Sequence, residues 1–438
     1  MGGAKIAIIS DLHVAPAVAL KGTVAAPGDK SISHRAVMLG SLAEGDTVIE
    51  NFLPGEDCLS TISCFRKLGV EIVGPERGKV KILGRGFWGL AEPDDVLDAG
   101  NSGTTIRLLL GILAGQPFFS IVTGDDSLRQ RPMARVARPL ALMGARMLGR
   151  QGGSLAPLAV QGGGLKPIDY KSPVASAQVK SSILLAGLFA DGVTTVGEPF
   201  RSRDHTERML KYFGANVEIS GNKVRVTGHP RLKGQRVLIP GDISSAAFLM
   251  VAASIVPGSD LTIPSVGINH TRSGILDVLL EMGAGIELVH QREEGGEPVA
   301  DIRVRYTGKL AGITVAGETI PRLIDEVPAL AVAAAVAEGT TYIKDAAELK
   351  VKESDRIATV VTLLHRFGVD VEELPEGLLV RGGRPLKGTI CESQGDHRIA
   401  MAAAIAGLVA KGETVVRGAE CINVSFPGFA SVLKNIQE

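Results

Sequence analysis

One element recurs six times along the chain, and this repetition constrains the fold more than any other feature of the sequence. In each copy a cluster of small and polar residues opens a run rich in Ala and Leu, and the run closes at a glycine. Such polar residues begin helices and glycine commonly ends them, so each copy predicts a buried helix with a polar start. The copies are "GDKSISHRAVMLGSLAEG" (28–45), "GNSGTTIRLLLGILAG" (100–115), "SAQVKSSILLAGLFADG" (176–192), "GDISSAAFLMVAASIVPG" (241–258), "DEVPALAVAAAVAEG" (325–339) and "GDHRIAMAAAIAGLVAKG" (395–412).

A second predicted helix follows each of the first ones and ends in an apolar hinge with a glycine, as in "LKYFGANV" (210–217). Two short alternating segments come after the hinge, and "VEISGNKVRVTG" (217–228) is the clearest β-hairpin. The repeating unit is therefore strand–helix–strand–helix–strand–strand. The sixth copy ends after "NVSFPGFASVLKNIQE" (423–438), and the N-terminal "KIAIISDLHV" (5–14) is the candidate for its missing strands.

The length of 438 residues exceeds the size at which one hydrophobic core usually stops growing. A solenoid is the simplest alternative for any repeat, but these copies are long and the last one needs the N-terminus. We therefore predict an α/β (α+β) protein with two domains of three βαβαββ units each. Residues 1–21 and 241–438 would form one discontinuous domain, and residues 22–240 the inserted domain.

Composition excludes several classes of function. The formal net charge is +0, with 47 basic and 47 acidic residues, which argues against a nucleic-acid or membrane-surface binder. The 4 cysteines form no Cys-x-x-Cys pair, which fits a reducing compartment. We see no signal peptide and no apolar run long enough to cross a bilayer, and therefore expect a cytoplasmic protein.

The polar starts of the predicted first helices, with the loops near them, carry many of the cations of this neutral protein. Helix N-termini present unpaired N–H groups and a partial positive charge, so several of them facing one cleft make an anion site. A single arginine near a helix start is more often a surface residue or part of a local ion pair. Arg35 and Arg107 fall within otherwise apolar helices, so each needs an anionic partner, either a protein carboxylate or a ligand. The candidate cations are Lys30, Arg35, Arg107, Arg129, Arg131, Lys180, Arg203, Lys352, Arg356 and Arg398.

Two acidic residues and one histidine stand near these cations. Asp325 opens an almost wholly apolar helix and is either its N-cap or a base. Glu353, within "KVKESDR" (350–356), belongs either to a surface ion-pair cluster or to a group that exchanges protons with a ligand. His397 in "GDHR" is either a capping-turn residue or a proton carrier. The residues alone leave each of these alternatives open.

The stretch "PGDKSISHRA" (27–36) is close to a nucleotide phosphate-binding loop, but Asp29 separates the glycine from the lysine that this loop requires next to it. The sequence contains no G-x-S-x-G motif, no H-E-x-x-H motif and no histidine cluster with metal-ligand spacing. The residues therefore indicate a cleft between two domains that holds polyanionic small molecules, with no nucleotide and no metal.

Eight stretches, in order through nearly the whole chain, resemble motifs of the enolpyruvyl transferase family. They are "PGDKSISHRA", "LDAGNSGTTIRLLLG", "GDDSLRQRPM", "SAQVKSSILLAG", "SRDHTERML", "DEVPALAVAAA", "KVKESDRI" and "GDHRIAMA". The resemblance implies a fold of two domains, each with three βαβαββ units, and an active site in the interdomain cleft.

The resemblance also implies a reaction. The enolpyruvyl group of phosphoenolpyruvate would pass to the 5-hydroxyl of shikimate 3-phosphate, through a tetrahedral intermediate that releases phosphate. This is a step of chorismate and aromatic amino acid biosynthesis. It implies small-molecule substrates, no cofactor and no metal. We also expect a monomer without nucleic-acid or membrane partners.

Carried over by motif, the resemblance assigns a role to each candidate site residue. Asp325 would be the base on the 5-hydroxyl, Glu353 and Lys30 would move protons at the methyl carbon, and His397 would support them. Predicted to bind shikimate 3-phosphate are Lys30, Ser31, Arg35, Ser176, Ala177, Gln178, Arg203, Asp325 and Lys352. Predicted to bind phosphoenolpyruvate are Lys30, Asn101, Gly103, Arg131, Gln178, Arg356 and Arg398.

Two positions depart from the family pattern. Val424 stands where some members carry a lysine, two residues before a Phe-Pro pair, so no lysine acts from there. Leu108 replaces a proline after the arginine of "GNSGTTIR". Both departures bear on phosphoenolpyruvate affinity and on sensitivity to glyphosate, the family's known inhibitor.

The sequence leaves two alternative functions open. The sister transferase that acts on UDP-N-acetylglucosamine carries a cysteine in the loop that corresponds to "GDDSLRQRP", whereas this chain has Asp126 near that point and no cysteine between residues 65 and 390. A non-catalytic anion-binding protein of the same fold would be expected to have lost Asp325 or Glu353, and both are present.

Overall fold

The computed structural model describes residues 11–438. By their internal contacts these residues separate into two compact units. The split unit comprises the chain up to Pro27, Gly241–Arg292 and Val299–Glu438, and the inserted unit comprises Gly28–Pro240 and Glu293–Pro298. The domain boundaries at 21/22 and 240/241 stay a prediction.

Helices and strands are interspersed along the described chain. None of the helices within residues 11–438 is long and apolar enough to span a membrane. Their bounds are α1 (Lys30–Leu42), α2 (Glu56–Lys67), α3 (Gly103–Gly115), α4 (Ala134–Leu142), α5 (Arg150–Gly153), α6 (Ala177–Gly187), α7 (His205–Tyr212), α8 (Ile243–Ile255), α9 (Gly274–Glu281), α10 (Thr319–Leu323), α11 (Val327–Val336), α12 (Arg356–Arg366), α13 (His397–Gly407) and α14 (Phe429–Asn435).

The strands are short, as the abundance of turn residues in the sequence suggests. They are β1 (Asp11–Val14), β2 (Lys21–Thr23), β3 (Glu44–Glu50), β4 (Glu71–Glu76), β5 (Lys79–Arg85), β6 (Leu97–Asp98), β7 (Phe119–Thr123), β8 (Arg146–Gly149), β9 (Leu155–Gln161), β10 (Asp169–Lys171), β11 (Val193–Gly197), β12 (Val217–Ser220), β13 (Lys223–Thr227), β14 (Arg236–Leu238), β15 (Asp260–Gly267), β16 (Gly285–Glu294), β17 (Glu297–Arg305), β18 (Thr314–Val315), β19 (Thr340–Ile343), β20 (Asp370–Leu374), β21 (Gly377–Arg381), β22 (Ile390–Glu392) and β23 (Thr414–Arg417).

The strands assemble into small sheets with one repeated topology. In the order β6-β7-β9-β8, β6 runs parallel to β7, and β9 runs antiparallel to both β7 and β8. The orders β10-β11-β13-β12, β14-β3-β5-β4 and β18-β19-β21-β20 repeat this pattern of directions. In the order β2-β15-β17-β16, β2 likewise runs parallel to β15, and β17 runs antiparallel to β15. Together with a sixth sheet, β1-β23-β22, these five sheets confirm the predicted α/β fold of six repeated units.

The sheet of the sixth repeat has the order β1-β23-β22. Strand β22 is parallel to β23, and β1 pairs with β23 antiparallel, with Asp11 opposite Arg417 and Val14 opposite Thr414. Residues 11–14 end the N-terminal stretch that was expected to complete this repeat. Residues 5–10 of that stretch lie outside the described residues.

The first helix of each repeat is buried on nearly all sides. Every residue of α8 is buried, and so is every residue of α13. Helices that are apolar all round are stable only inside a core, which explains why their sequences are rich in Ala and Leu. Helices α1, α3 and α6 lie in the core of the inserted unit, and α8, α11 and α13 lie in the core of the split unit.

Three of these buried helices begin with the same Gly-Asp turn. Asp29 Oδ1 accepts the N–H of Ile32 at 2.9 Å, and Asp242 and Asp396 each accept a backbone N–H of the first turn at 2.9 Å. Aspartate is a preferred N-cap because its side chain satisfies one of the free N–H groups at a helix start. Asp29, which interrupts the apparent nucleotide loop, is therefore a helix cap.

Helices α3 and α6 approach each other closely at Gly111. A Cβ atom built on Gly111 would lie 2.2 Å from the backbone oxygen of Ser182 in α6. The obstacle is backbone within a buried helix, so it cannot move aside as a flexible side chain would. Only glycine permits this contact between the two helices.

We therefore expect Gly111→Ala to lower the free energy of unfolding by about 2–3 kcal/mol, at the upper end of what overpacking a core usually costs. Urea unfolding followed by circular dichroism measures this change. Gly40→Ala in α1 is the matched control, because its Cβ would meet side-chain atoms of Thr47 and Ile82 at 3.0–3.1 Å, which can shift. Equal stability of the Gly111 variant and wild type would contradict the inferred helix contact.

Candidate active site

Lys30 is the first residue of α1 in the inserted unit. Its Nζ lies 3.0 Å from Asp57 Oδ2 in the first turn of α2, and the two side chains are 16% and 12% exposed. Asp57 also has its backbone oxygen near the hydroxyls of Thr61 and Thr105. The carboxylate therefore holds the ammonium group at the helix start while leaving it within reach of solvent or a ligand.

Arg35 lies one turn after Ser31 on the same helix and is 5% exposed. Its Nε donates to Thr206 Oγ1 at 2.6 Å, and its Nη2 donates to Ser181 Oγ at 3.0 Å. Its Nη1 donates to the backbone oxygen of Ser31 at 2.9 Å. The guanidinium is thus fixed by groups from α1, α6 and α7. Its assignment to shikimate 3-phosphate stays a prediction.

The start of α3 brings two further arginines close to Gly103. A Cβ atom on Gly103 would lie 3.0 Å from Arg107 Nη1 and 3.5 Å from Arg131 Nη1. Arg131 Nη2 donates to Asn101 Oδ1 at 2.6 Å, and its Nη1 donates to the backbone oxygen of Asn101 at 3.2 Å. Glycine at 103 therefore keeps open a space bordered by a helix N-terminus and two guanidinium groups.

Gln178 in the first turn of α6 connects this region to the next repeat. Its Oε1 accepts a hydrogen bond from Arg107 Nη1, and its Nε2 donates to Thr104 Oγ1 at 3.0 Å. Ser176 and Ala177 precede it at the helix start and are half-buried. Arg203, also half-buried, lies in the segment that leads into α7. In the inserted unit, Arg107 thus lies beside Gly103 and is bonded to Gln178. Arg131, also near Gly103, is bonded to Asn101.

Lys180 does not join these residues as a free cation. Its Nζ lies 2.9 Å from Glu198 Oε2 and 2.8 Å from Glu207 Oε1, and all three side chains are at most 2% exposed. Burial alone would lower the pKa of Lys180, but the charges of Glu207 and Glu198 outweigh it and hold that pKa above its ordinary value. We call Lys180, Glu198, Glu207 and Ser202 the Lys180 cluster, because Ser202 donates to both oxygens of Glu198 at 2.7 Å. The suggestion that Lys180 contributes to an anion site is not supported by these contacts.

His34 is a buried polar residue of α1 that the sequence analysis did not single out. Its Nδ1 lies 2.7 Å from Thr61 Oγ1, which in turn lies 2.7 Å from Thr105 Oγ1. Burial, and then the charges of Lys30 and Arg35, hold the pKa of His34 well below its ordinary value. The ring is therefore neutral at pH 7 and links α1, α2 and α3 as a hydrogen-bonding group.

In the split unit, Arg356 at the start of α12 is the centre of the candidate site. Its Nε donates to Asp396 Oδ2 at 2.8 Å, its Nη1 to Asp325 Oδ1 at 3.1 Å and its Nη2 to Glu353 Oε2 at 2.6 Å. The arginine side chain is 1% exposed, whereas Glu353 is 26% exposed. Burial opposes the charge, but the three carboxylates prevail and raise the pKa of Arg356. A buried guanidinium thus brings together three acidic residues, Asp325 and Glu353 from the fifth repeat and Asp396 from the sixth.

Asp325 also contacts a second cation, since Lys352 Nζ lies 3.3 Å from its Oδ1. The segment "KVKESDR" therefore contributes both Lys352 and Glu353 to the same cluster as Arg356. The structure places Asp325 ahead of α11 rather than at its N-cap, which is Glu326. The alternative that Asp325 is simply a helix cap is thus wrong.

The start of α13 supplies the remaining predicted residues of the split unit. Asp396 caps this helix through the N–H of Arg398 at 2.9 Å, and it also accepts the hydroxyl of Ser354 at 3.0 Å. His397 and Arg398 follow it directly and are 2% and 6% exposed. Burial would raise the pKa of Asp396, but the charge of Arg356 outweighs it and keeps that pKa below its ordinary value.

Sequence reasoning missed the carboxylates that hold the predicted cations, chiefly Asp57, Asp396 and Glu198. A signal was present for Asp396, because the Gly-Asp turn of "GDHR" repeats that of "GDKS" and "GDIS". Nothing in the local pattern distinguishes Asp57 or Glu198 from a surface carboxylate.

The positions that depart from the family pattern lie in different surroundings. Leu108 is fully buried within α3, so its replacement of proline is a change in the core. Val424 is the last residue of a 3-10 helix, Ala419–Val424, and is half-buried. Asp126, near the position of the cysteine in the sister transferase, is 96% exposed and pairs with Arg129.

The six repeats form the fold that the enolpyruvyl transferase motifs of the sequence imply. A family model described as EPSP synthase (3-phosphoshikimate 1-carboxyvinyltransferase) matches residues 14–433. The chain therefore belongs to the EPSP synthase family.

Individual relatives match over the full length. The 3-phosphoshikimate 1-carboxyvinyltransferase of Pelotomaculum thermopropionicum is 70% identical over 426 residues, covering 97% of this chain and 99% of the relative. That of Desulforamulus reducens is 63% identical over 426 residues, again covering 97% and 99%. The solved structure of EPSP synthase from Acinetobacter baumannii has a TM-score of 0.89 and 46% sequence identity, and the match covers 98% of each chain.

The lowered pKa of Asp396 leads to a prediction for stability. We expect Asp396→Asn to cost about 3 kcal/mol of unfolding free energy at pH 7, since it removes one partner of a buried charged group. A carboxyl group whose pKa is lower in the folded protein than in the unfolded one stabilises the fold at pH values above its unfolded pKa of 3.8. This stabilisation is lost as the pH falls through the lower pKa of the folded protein. The wild type should therefore lose stability below about pH 4 more steeply than the variant.

Urea unfolding at pH 7, and at a series of pH values between about 5 and 2.5, measures both effects. Asp355→Asn is the control, because Asp355 is an exposed cap of α12 that accepts the N–H groups of Ile357 and Ala358. Parallel acid unfolding curves for Asp396→Asn and wild type would contradict the role assigned to the Asp396 charge.

Proposed function

We propose that this protein transfers the enolpyruvyl group of phosphoenolpyruvate to the 5-hydroxyl of shikimate 3-phosphate and releases phosphate. This transferase reaction is a step of chorismate and aromatic amino acid biosynthesis. The observation that carries the proposal is the full-length match to relatives named for this activity, at 70% identity in one case. All the predicted site residues lie within residues 14–433, the part of the chain that the family model matches.

The groups proposed to hold shikimate 3-phosphate suit a phosphorylated polyol. Arg35 is a fixed guanidinium beside Ser31 and supplies charge-assisted hydrogen bonds to phosphate. The start of α6 supplies free backbone N–H groups together with the polar side chains of Ser176 and Gln178. The full proposed set is Lys30, Ser31, Arg35, Ser176, Ala177, Gln178, Arg203, Asp325 and Lys352.

The groups proposed to hold phosphoenolpyruvate suit a small molecule with two anionic ends. Gly103 leaves space beside Arg131 and the N-terminus of α3, where an anion is favoured. One charge pair at about 4 Å near a protein surface is worth about 4 kcal/mol before desolvation is counted, so several cations are needed to offset the loss of water around both substrates. The full proposed set is Lys30, Asn101, Gly103, Arg131, Gln178, Arg356 and Arg398.

The proposed chemistry is addition followed by elimination. Asp325 accepts the proton of the 5-hydroxyl as its oxygen attacks the enol carbon of phosphoenolpyruvate, while Lys30 or Glu353 protonates the methylene carbon. The tetrahedral adduct then loses phosphate as a proton leaves the new methyl group, which restores the double bond. Positioned acid–base groups of this kind contribute about 10²–10⁴-fold to a rate. His397, beside Asp396, supports these transfers.

A transferase acting on UDP-N-acetylglucosamine is the nearest alternative. Asp126 near the position of that enzyme's cysteine, and the absence of cysteine between residues 65 and 390, disfavour it. A non-catalytic anion-binding protein is disfavoured because Asp325 and Glu353 are both present and both contact Arg356. We further propose a cytoplasmic monomer with domains of residues 1–21 plus 241–438 and 22–240.

The proposal predicts that the purified protein releases phosphate only when shikimate 3-phosphate and phosphoenolpyruvate are supplied together. A coupled phosphate assay with each substrate alone, with both, and with UDP-N-acetylglucosamine plus phosphoenolpyruvate tests this expectation. Release with the UDP-sugar but not with shikimate 3-phosphate would establish the alternative transferase. Binding of shikimate 3-phosphate without any turnover would establish the non-catalytic alternative.

The role of Asp325 leads to a separate prediction. Asp325→Asn keeps the size of the side chain but removes the proton acceptor, so kcat should fall by about 10²–10⁴-fold. The dissociation constant of shikimate 3-phosphate should change by no more than about tenfold, since one hydrogen bond contributes about 0.5–1.5 kcal/mol. Steady-state kinetics and calorimetric titration measure the two quantities.

Asp277→Asn is the matched control for this experiment. Asp277 also pairs with an arginine, Arg322, at 2.6 Å, but it lies on α9 and is 57% exposed. We expect this control to keep the kcat of the wild type. A fully active Asp325→Asn variant would remove Asp325 as the base.

A further inference from the structure

The Lys180 cluster lies at the start of α6 in the inserted unit. Lys180 belongs to the first turn of this helix, as does Gln178, and Ser176 is the N-cap. Glu198 follows β11, and Ser202 lies in the segment that leads into α7. These side chains are buried, and the charges of Lys180 and Glu198 are paired within the cluster. The cluster is therefore placed to act through the residues to which it is bonded.

Glu198 is bonded to two segments at once. Its Oε1 accepts the backbone N–H of Ser176 at 2.9 Å. Its Oε2 accepts the backbone N–H of Ser202 at 3.3 Å, and the hydroxyl of Ser202 lies 2.7 Å from both oxygens. The Lys180 ammonium completes the set at 2.9 Å from Oε2. A single carboxylate thus fixes Ser176 and Ser202 relative to each other.

Glu207 contacts the same ammonium group but has a different environment. Its Oε1 lies 2.8 Å from Lys180 Nζ, while its Oε2 is buried and has no hydrogen-bond partner among residues 11–438. Glu207 therefore ties α7 to α6 and adds negative charge, whereas Glu198 organises the backbone. The two glutamates provide an internal comparison of these two roles.

The residues fixed by Glu198 adjoin the proposed phosphate ligands. Ser176 is itself one of them, and Ser202 directly precedes Arg203, which is another. Ser181, next to Lys180, and Thr206, next to Glu207, both hold the Arg35 guanidinium. The cluster is thus hydrogen-bonded to Ser176, and its members are sequence neighbours of Arg203 and of the two hydroxyl residues that hold Arg35.

We propose that Glu198 is a positioning residue for shikimate 3-phosphate, which fixes the start of α6 and the segment containing Arg203 at the separation that the substrate requires. The inference rests on the proposed function, because that function assigns Ser176 and Arg203 to this substrate. Glu198 does not touch the substrate. It acts through the backbone N–H of Ser176 and through Ser202.

A carboxylate is needed at this position because every group around it is a donor. In Glu198→Gln the amide –NH2 would replace one oxygen, and it would face either the N–H of Ser176 or the Lys180 ammonium and the N–H of Ser202. The first orientation places the amide against one donor and the second against two, and either displaces one of the two segments. The side chain keeps its size, so the change tests bonding rather than packing.

The experiment compares the full-length wild type with Glu198→Gln and Glu207→Gln. We expect Glu198→Gln to raise the KM and the calorimetric dissociation constant of shikimate 3-phosphate by at least tenfold, while the KM of phosphoenolpyruvate changes by less than about threefold, because binding depends on geometry held to within fractions of an ångström. Glu207→Gln keeps an oxygen for Lys180 and touches neither serine. It should therefore leave both KM values near those of the wild type, even where its melting temperature falls.

Ser202→Ala keeps the inference testable where Glu198→Gln does not fold, since it removes only the hydroxyl that donates to Glu198. We expect it to raise the KM of shikimate 3-phosphate selectively, by a smaller factor than Glu198→Gln. The inference would be overturned if Glu198→Gln and Glu207→Gln each changed the KM of shikimate 3-phosphate and the KM of phosphoenolpyruvate by the same factor. It would also be overturned if the KM of shikimate 3-phosphate stayed unchanged in both Glu198→Gln and Ser202→Ala. A wild type without phosphate release from the two substrates would instead overturn the proposed function, so the two failures are distinguishable.

Discussion

The structure depends on helices that are buried around their whole circumference. Every residue of α8 and α13 is buried, so these helices have no outer face on which polar side chains can reach water. The chemistry of such a helix is concentrated near its start, because the backbone N–H groups of the first turn have no partner within the helix. Six repeats therefore place their polar residues at six helix starts. At three of these starts, the side chains of Asp29, Asp242 and Asp396 each accept one backbone N–H of the first turn. The other N–H groups of that turn are left for other acceptors.

The cations at these starts are held by carboxylates before any ligand binds. Lys30 is held by Asp57, Arg356 by three acidic residues and Lys180 by two. Burial of a single charge is expensive, and removing one partner of a buried pair commonly costs 3–5 kcal/mol, which is why these groups occur as clusters. Fixed cations also need little rearrangement when an anion arrives, and this preorganisation is a large part of electrostatic catalysis. The same ion pairs thus stabilise the fold and, in the proposed reaction, would also hold the cations ready for the substrates.

The sequence was sufficient for the repeat, the fold class and the helix starts, because these follow from local patterns of apolar, capping and turn residues. Asp29 is an example, since its place between glycine and lysine excluded the nucleotide loop and its side chain proves to be a cap. The partners of the cations could not be predicted, because they come from distant parts of the chain. Thr206 and Ser181 hold Arg35 across 171 and 146 residues, and Glu198 and Lys180 meet only when β11 and α6 pack together. Lys180 was misjudged for this reason, as its helix start resembles the others and its two glutamates are invisible to a local pattern.

The geometry around Asp325 also bears on how a base would work in the proposed reaction. Its Oδ1 lies 3.1 Å from Arg356 Nη1 and 3.3 Å from Lys352 Nζ, and two cations this close favour the ionised carboxylate. The proposed base is thus already bonded to two cations to which the proposal assigns substrates. In the proposed mechanism, Arg356 and Lys352 would exchange part of their contact with Asp325 for contact with the substrate anions, which would leave a carboxylate oxygen available to the 5-hydroxyl. The availability of the base would therefore be coupled to the presence of both substrates.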